Sequence, residues 1–198
     1  MMIRPRIKTF SAARLFARDR RGVAAVEFAL LAPVLVMAYF GLSELTEGLM
    51  ASRKVSAVAS TIGDLTAQAA STTPGQVSDI FTVGQVLMQP FPTTGQALTM
   101  RISSVTVDAN NTPRIDWSEG QGLTALAKGT AVSLPLATKA QPNSPNLPFI
   151  ASGQSVIMAE AHYRFASPVA QYLPQTSDLN DTLYLSPRQG TQVACTTC

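Results

Sequence analysis

One stretch of the chain is long and apolar enough to cross a membrane. Residues 23–42 read VAAVEFALLAPVLVMAYFGL and contain a single charged side chain, Glu27. A helix of that length covers about 30 Å, which is the hydrocarbon thickness of a bilayer. A secretory signal has a shorter apolar core of about 7–15 residues and a small-residue cleavage site after it. Here Ser43 and Glu44 follow instead, so we predict a retained transmembrane helix over 23–42.

The charged residues differ in sign on the two sides of this stretch. Residues 1–22 hold seven of the 15 Lys and Arg residues and one acid, whereas residues 43–198 hold eight basic and ten acidic groups. The positive-inside rule therefore places residues 1–22, a basic leader, in the cytoplasm and everything after Leu42 across the membrane. Because the basic pI of about 9.1 belongs to the leader, a broad basic surface is excluded, and we predict no nucleic-acid partner.

Two side chains within the apolar stretch are unusual for a membrane helix. Pro33 predicts a kink, because it lacks the backbone donor that the helix needs. A carboxylate such as that of Glu27 costs about 2.5–3.5 kcal/mol at the centre of a membrane helix and less near its end. Two interpretations of Glu27 stay open: the side chain extends to the headgroups, or a partner charge within the membrane neutralises it.

The junction before the helix resembles a known processing signal. Residues 20–28 read RRGVAAVEF: a basic pair, a glycine, and an apolar helix whose fifth residue is Glu27. This pattern resembles the class III signal of type IV pilins and pseudopilins, which a prepilin peptidase cleaves after the glycine. Residues 20–62 resemble more closely the TadE-like family of tight-adherence (Flp) pilus assembly proteins. Weaker similarity continues to the C-terminus, at Trp117-Ser118, at residues 160–163 (EAHY), at Pro187-Arg188 and at Cys195.

The resemblance implies that the chain is processed and assembled. Cleavage would fall between Gly22 and Val23, and the new α-amine, with a pKa near 8 and therefore mostly cationic at neutral pH, would pair with Glu27 of the same or a neighbouring subunit. The implied location is the bacterial inner membrane, with a single pass and a periplasmic C-terminal domain. The implied partners are other pseudopilins, the pilus assembly platform and a prepilin peptidase. The expected function is that of a TadE-like minor pseudopilin of a type IVb Flp pilus or its secretion machine.

Beyond the membrane the sequence predicts an amphipathic helix and then a mixed domain. Apolar positions over residues 43–70 are spaced mostly by three and four, which is typical of a helix with one buried face. Residues 71–198 show helical and then strand patterns, so the predicted fold class is α+β, with the long helix packed on an antiparallel sheet. The predicted helix face consists of Leu45, Leu49, Val55, Val58, Ile62, Leu65 and Ala69.

Helix-capping residues and the alternation of apolar and polar residues predict the helices and strands of the 71–198 domain. Thr73 as N-cap and Pro74 at the first position begin a helix that ends before Pro90. Strands are predicted over 98–107, 114–117, 155–165 and 181–185, a short edge strand over 130–136, and an exposed loop over 138–148. In the strand 155–165, one face is apolar, and the opposite, more polar face carries Val156, Met158, Glu160, His162 and Arg164.

The sequence offers little for catalysis or for a metal. The one histidine, His162, lies on that more polar face, and a metal site needs several suitably spaced ligands. The chain contains no G-x-S-x-G, P-loop or G-x-G-x-x-G pattern. We therefore predict no enzymatic activity, no catalytic residue, no cofactor and no metal.

The two cysteines are separated by two residues. Redox pairs of this spacing normally begin a helix in a βαβ unit, whereas the pair Cys195 and Cys198 stands at the end of the sequence. A structural disulfide between them is expected, closing a four-residue loop worth about 2 kcal/mol. Pairing between subunits stays open as an alternative.

A second function is compatible with the same anchor. The chain would then be a signal-anchored periplasmic binding domain unrelated to pili. This alternative requires a polar pocket with convergent titratable groups.

Overall fold

The fold is a long helix followed by a short helix and an antiparallel sheet. The computed structural model describes residues 22–110, 112–134, 150, 153–166 and 176–198. The predicted leader 1–22, apart from Gly22, and the predicted loop 138–148 lie outside these residues. The α+β fold class is confirmed. In chain order the elements are α1 (Val23–Ala67), β1 (Ser71–Thr72), α2 (Pro74–Leu87), β2 (Leu98–Val107), β3 (Pro113–Gln121), β4 (Ser155–Ala166), β5 (Thr176–Leu185) and β6 (Ala194–Cys195).

The chain divides into two compact units, Met1–Leu45 and Thr46–Cys198. The boundary lies within α1, which is a single helix of 45 residues in the structure. The first unit therefore contains the apolar stretch. The second contains the rest of α1, α2 and all six strands.

In the second unit, α1 packs against the sheet through mostly small side chains. Gly63 marks the closest approach: a Cβ atom there would lie 3.0 Å from the Cβ of Ala159 on β4 and 2.6 Å from Cδ1 of Leu185 on β5. Such a distance leaves no room for large side chains at this point of the interface. The buried residues of α1 are Ala51, Val55, Val58, Ala59, Ile62, Gly63, Thr66 and Ala67.

The predicted apolar face of α1 is wrong at three positions. Leu45, Leu49 and Leu65 are 60%, 55% and 37% exposed. The prediction is confirmed at Val55, Val58 and Ile62, which are buried. Around these three residues the buried face consists of alanine, glycine and threonine instead of the leucines that the spacing predicted. The helix also ends at Ala67, three residues before the predicted Ala70.

The start of α2 follows the predicted capping pattern. Thr73 is the N-cap, and its Oγ1 accepts a hydrogen bond from the backbone N–H of Gln76 at 3.3 Å. The Gln76 side chain in turn accepts from the Thr73 N–H at 3.0 Å, which completes a capping box. Pro74 occupies the first helical position, where its missing N–H costs nothing.

The four long strands form one antiparallel sheet in the order β3-β2-β4-β5. β3 carries an irregularity opposite Ser104 and Val105, which pair with Trp117 and Ile115. This shift turns Trp117 toward the helices and Ile115 toward the opposite face, since each belongs to a different hydrophobic cluster. The predicted final strand 181–185 is longer than expected and begins at Thr176.

Part of the outer face of the sheet is also buried, which the sequence pattern of β4 did not predict. Its predicted apolar face, from Ile157 to Phe165, lies in the core with α1 and α2. On the opposite face Val156 and Met158 are also buried, in a second cluster that Leu134 and Ile150 cover. His162 and Arg164 on that face are more exposed.

The predicted edge strand over 130–136 is wrong for its described part, residues 130–134. Ala131 forms one isolated bridge with Arg114 and no strand. The segment nevertheless covers the outer edge of β3: the Ile115 N–H donates to the Thr130 carbonyl, and the Val132 N–H donates to the Pro113 carbonyl, both at 3.0 Å.

We predict that Gly63→Ala destabilises the protein and that Gly48→Ala does not. An added methyl group at 63 overpacks the interface with β4 and β5, which costs about 1–3 kcal/mol. At Gly48 the nearest atom to a Cβ would be Cε1 of Phe165, 4.0 Å away, so alanine gains up to about 1 kcal/mol of helix propensity. Thermal unfolding of the full chain in detergent micelles measures both. Equal shifts in Tm would contradict the close packing at Gly63.

A second prediction concerns the turn between β2 and β3, which is stabilised by an ionised carboxylate. Hydrogen bonds from the Thr112 backbone and the Arg114 side chain, followed by one from the Asn110 backbone, lower the pKa of Asp108 below its usual 3.8. A lowered pKa contributes stability above the unfolded-state value, and that stability is lost as pH falls through the folded-state value.

Asp108→Asn should therefore lower Tm at pH 7, and the difference from the wild type should shrink once the pH is below the folded-state pKa of Asp108. Circular dichroism melts at several pH values between 7 and 2 test this expectation. A difference that is independent of pH would show that the charge of Asp108 is not what stabilises the turn.

Candidate assembly site

The first part of α1 exposes its whole apolar surface. We call residues 22–45 the assembly segment. None of its side chains is buried, and Phe28, Leu30 and Tyr39 are 68%, 71% and 70% exposed. Among the described residues, α1 is the one helix long and apolar enough to cross a bilayer as a single-pass anchor. A surface of this size is covered in the cell by lipid or by another apolar helix.

Glu27 lies one helical turn after the first helical residue. Val23 begins α1, and residues four apart face the same side of a helix. The N-terminus of a helix carries about half a positive charge, which favours a nearby carboxylate and disfavours a free amine. An amine at Val23 would thus need an acid beside it, and Glu27 is placed to supply one. Among the described ion pairs, none includes Glu27.

The glycine before the helix packs against none of the described residues. A Cβ atom at Gly22 would meet none of their atoms within 4 Å, and the backbone there does not have a positive φ. The part of the chain that the structure describes therefore gives no packing reason for a glycine at this position. Pro33 lies inside α1, which continues past it to Ala67.

At its other end, α1 is held by the C-terminal segment 187–198, which we call the clasp. The Arg188 N–H donates to the Ala67 carbonyl at 2.8 Å, and this bond satisfies one of the carbonyls that a helix end leaves free. The Arg188 side chain pairs with Asp64, 124 residues earlier in the chain. The Gln189 amide donates to the Gln68 carbonyl at 2.9 Å.

Further contacts attach the clasp to the sheet and to β1. Val193 is fully buried, and its carbonyl accepts a hydrogen bond of 2.7 Å from the indole Nε1–H of Trp117 on β3. β6 pairs with β1 in parallel, so that Ala194 lies opposite Ser71 and Cys195 opposite Thr72. The clasp therefore connects the end of α1 with the sheet core.

In the structure, Cys195 and Cys198 are joined by a disulfide with a Cα–Cα distance of 5.6 Å. The bond lies at the end of the clasp, directly after the β1–β6 pairing. It closes a short loop at the surface and crosses no part of the core.

The structure brings together three of the residues that carry the weaker part of the sequence resemblance. Trp117, Arg188 and Cys195 all belong to the clasp or contact it. Glu160 lies elsewhere, on the opposite face of the sheet. There the Arg101 guanidinium donates two hydrogen bonds to its carboxylate, at 2.6 and 2.8 Å, and joins β2 to β4. Sequence reasoning noted these motifs but did not predict that they fasten α1.

A cavity of about 440 Å³ opens on the face of the sheet away from the helices. Its floor is a row of polar residues in register on three strands: Thr99, His162 and Asn180. Beside them Arg164 pairs with Asp178 at 3.6 Å, and both side chains are mostly exposed, at 71% and 79%. Within the described part of the chain no three His, Cys, Asp or Glu residues lie close enough to hold a metal ion.

We predict that Trp117→Phe loosens the clasp. The phenyl ring fills much of the same space but donates no hydrogen bond, so the buried Val193 carbonyl loses its partner at a cost of about 1–3 kcal/mol. Trypsin should then cleave after Arg188 severalfold faster in the full chain, whereas cleavage after Lys128, an exposed residue far from the clasp in sequence, serves as the internal control. Equal rates after Arg188 in both proteins would refute a fastening role for Trp117.

Comparison with known protein families gives a match that covers the assembly segment. The family model of the TadE-like protein matches residues 22–63. No curated protein and no solved structure matches the chain. The matched residues include Gly22, Val23, Glu27 and the close contact at Gly63. The resemblance to the TadE-like family is thus confirmed over residues 22–63, which include the apolar first part of α1.

Proposed function

We propose that the protein is a membrane-anchored assembly component of a type IVb Flp (tight-adherence) pilus, as a TadE-like minor pseudopilin. The family match supports a role in assembly of this pilus. The observation that carries the finer proposal is the geometry of the assembly segment. The part of α1 from Val23 to Leu45 has no buried residue and carries Glu27 one turn after Val23, and the glycine before it packs against none of the described residues.

In this proposal a prepilin peptidase hydrolyses the peptide bond between Gly22 and Val23. The products are a leader of residues 1–22 with a new carboxylate and a mature chain with a new α-amine. The amine is cationic at neutral pH, and it lies at the positive end of the α1 dipole. Glu27 of the same chain or of a neighbouring subunit neutralises it. The pair lowers the cost of holding either charge in lipid and fixes how far one helix slides along the next.

The same proposal fixes the location of each part. The leader 1–22 faces the cytoplasm, residues 23–42 cross the inner membrane, and residues 43–198 lie in the periplasm. The charge asymmetry across the apolar stretch supports this orientation. In the membrane the partners are other pseudopilins and the assembly platform, and in the periplasm the sheet domain meets them. A structural role in pilus assembly requires neither enzymatic activity nor a cofactor.

The proposal predicts that Glu27→Gln abolishes assembly without preventing membrane insertion. The amide keeps the size of the side chain but removes the charge, which leaves the amine of Val23 unpaired in lipid. Breaking a buried pair costs about 3–5 kcal/mol, so piliation counted by electron microscopy should fall at least tenfold. The matched control is Glu44→Gln, which removes a carboxylate just outside the apolar stretch of the same helix.

Membrane fractionation of both variants shows whether they are inserted equally. Normal piliation by Glu27→Gln would contradict the charge pair. An equal loss by Glu44→Gln would mean that the phenotype is not specific to the charge in the membrane.

The signal-anchored binding domain remains the second candidate, because the cavity at His162 is a polar pocket of the kind that it requires. We rank it second for a physical reason. Arg164 and Asp178 pair with each other and are both more than two-thirds exposed, so water competes for the charged groups that would bind a small ligand.

A further inference from the structure

Two serine hydroxyls are buried in the core of the sheet without a hydrogen-bond partner. Ser104 on β2 is fully buried and Ser155, the first residue of β4, is 3% exposed. Neither Oγ atom has a partner among the described residues. A buried hydroxyl without a hydrogen bond lowers stability, because it loses its water and gains nothing in return. Two such groups in one core therefore require a physical reason.

The two serines lie on the same face of the sheet, diagonally across from each other. Ser104 pairs with Ile157, and Thr106 pairs with Ser155 two residues further along the strands. Ile157 belongs to the cluster that packs with the helices, so both hydroxyls face that side. Diagonal neighbours in an antiparallel pair are about 7–8 Å apart. Serine side chains are too short to form a direct hydrogen bond over that distance.

Another pair of buried serines shows the direct alternative. Ser103 and Ser118 lie directly opposite each other on β2 and β3, and their hydroxyls are hydrogen-bonded at 2.8 Å. Ser103 also pairs with Met158, which belongs to the second cluster on the outer face. Where the strand register places two serines opposite each other, they satisfy each other. The register does not allow this for Ser104 and Ser155.

The clasp passes over the two unpartnered hydroxyls. On one side, the Ser155 N–H donates to the Thr191 carbonyl at 3.1 Å. On the other, the indole of Trp117 donates to the Val193 carbonyl at 2.7 Å. Since β2 lies between β4 and β3, the clasp crosses β2 at Ser104, which pairs with Trp117. Val193 is fully buried, and none of the described backbone hydrogen bonds has its N–H as donor.

We propose that Ser104 and Ser155 bind an internal water molecule between the sheet and the clasp. A water that bonds to both hydroxyls spans about 5.5 Å between their oxygens, twice a normal O–H···O distance, which suits diagonal neighbours with short side chains. Buried waters make about three hydrogen bonds to groups that are otherwise unpaired, and the Val193 N–H supplies the third. The water then attaches the clasp to β2. This site does not depend on the proposed role in pilus assembly.

The sign of the change in Tm distinguishes a bound water from dry hydroxyls. With a water bound, Ser104→Ala and Ser155→Ala each remove a hydrogen bond and should lower the Tm of the full chain in detergent micelles by about 2–4 °C. The double variant should lose less than the sum of the two, because both hydroxyls act through the same water. Removal of a dry, unpaired hydroxyl would instead leave Tm unchanged or raise it.

Trypsin tests whether the water fastens the clasp. Cleavage after Arg188, relative to cleavage after Lys128, should become severalfold faster in Ser104→Ala and in Ser155→Ala. Ser118→Ala is the matched control, since it removes a buried serine hydroxyl that has a direct partner on the outer face. It should lower Tm but leave the ratio of the two cleavage rates unchanged.

NMR of the isotope-labelled full chain in the same micelles detects the water itself. The amide of Val193 should show a nuclear Overhauser effect from a long-lived water, and the signal should be lost in Ser104→Ala. Four outcomes would overturn the proposal. They are a Tm that is unchanged or higher in either single variant, losses that add fully in the double variant, an unchanged cleavage ratio in both single variants, and a Val193 amide without a water signal.

Discussion

None of the described residues covers the apolar first part of α1, and this exposed surface determines what the rest of the molecule requires. From Val23 to Leu42 no side chain is buried, although this is the most apolar part of the sequence. In water such a surface would drive aggregation, so lipid or another helix must cover it. Any charge on it then needs a partner charge, because solvation is no longer available. Glu27 is the one charged residue there, and its position one helical turn after Val23 is the basis of the proposed charge pair.

The second half of α1 is packed in the core of its unit, whereas the first half has no buried side chain. Small residues around Gly63 bring the helix into direct contact with β4 and β5. The clasp closes over its end through Arg188, while Trp117 anchors the clasp to β3. A single helix thus combines an unpartnered segment with a segment fixed in a domain core. This combination suits a subunit whose membrane part must find partners while its folded part stays intact.

Local chemistry was predictable from the sequence, and long-range contacts were not. The N-cap at Thr73 and the apolar face of β4 depend on neighbouring residues, and both were predicted correctly. The outer face of β4 was not, because Val156 is covered by Leu134 and Ile150 from other parts of the chain. The Arg188–Asp64 pair joins residues 124 positions apart. The helix and strand periods of the sequence concern neighbouring residues and therefore cannot predict this contact.

In the candidate site, too, local features were predictable from the sequence and long-range arrangements were not. The spacing from Gly22 to Glu27 is visible in the sequence, so the assembly segment was found there. The position of β5 at the edge of the described sheet was not predicted, because edge and centre strands differ in their neighbours rather than in their own residues. The predicted buried face of α1 is wrong at Leu49 and Leu65 because the prediction relied on the spacing of large apolar side chains. The close contact between α1 and the sheet at Gly63 requires small side chains instead.

The central claim is that processing creates the cation which Glu27 neutralises. The most direct measurement is intact-mass and N-terminal peptide mass spectrometry of the native protein extracted from membranes. We predict a mature chain that begins at Val23, with residues 1–22 removed. A native protein that retains its leader through Gly22 would contradict it, because no α-amine would then exist beside Glu27.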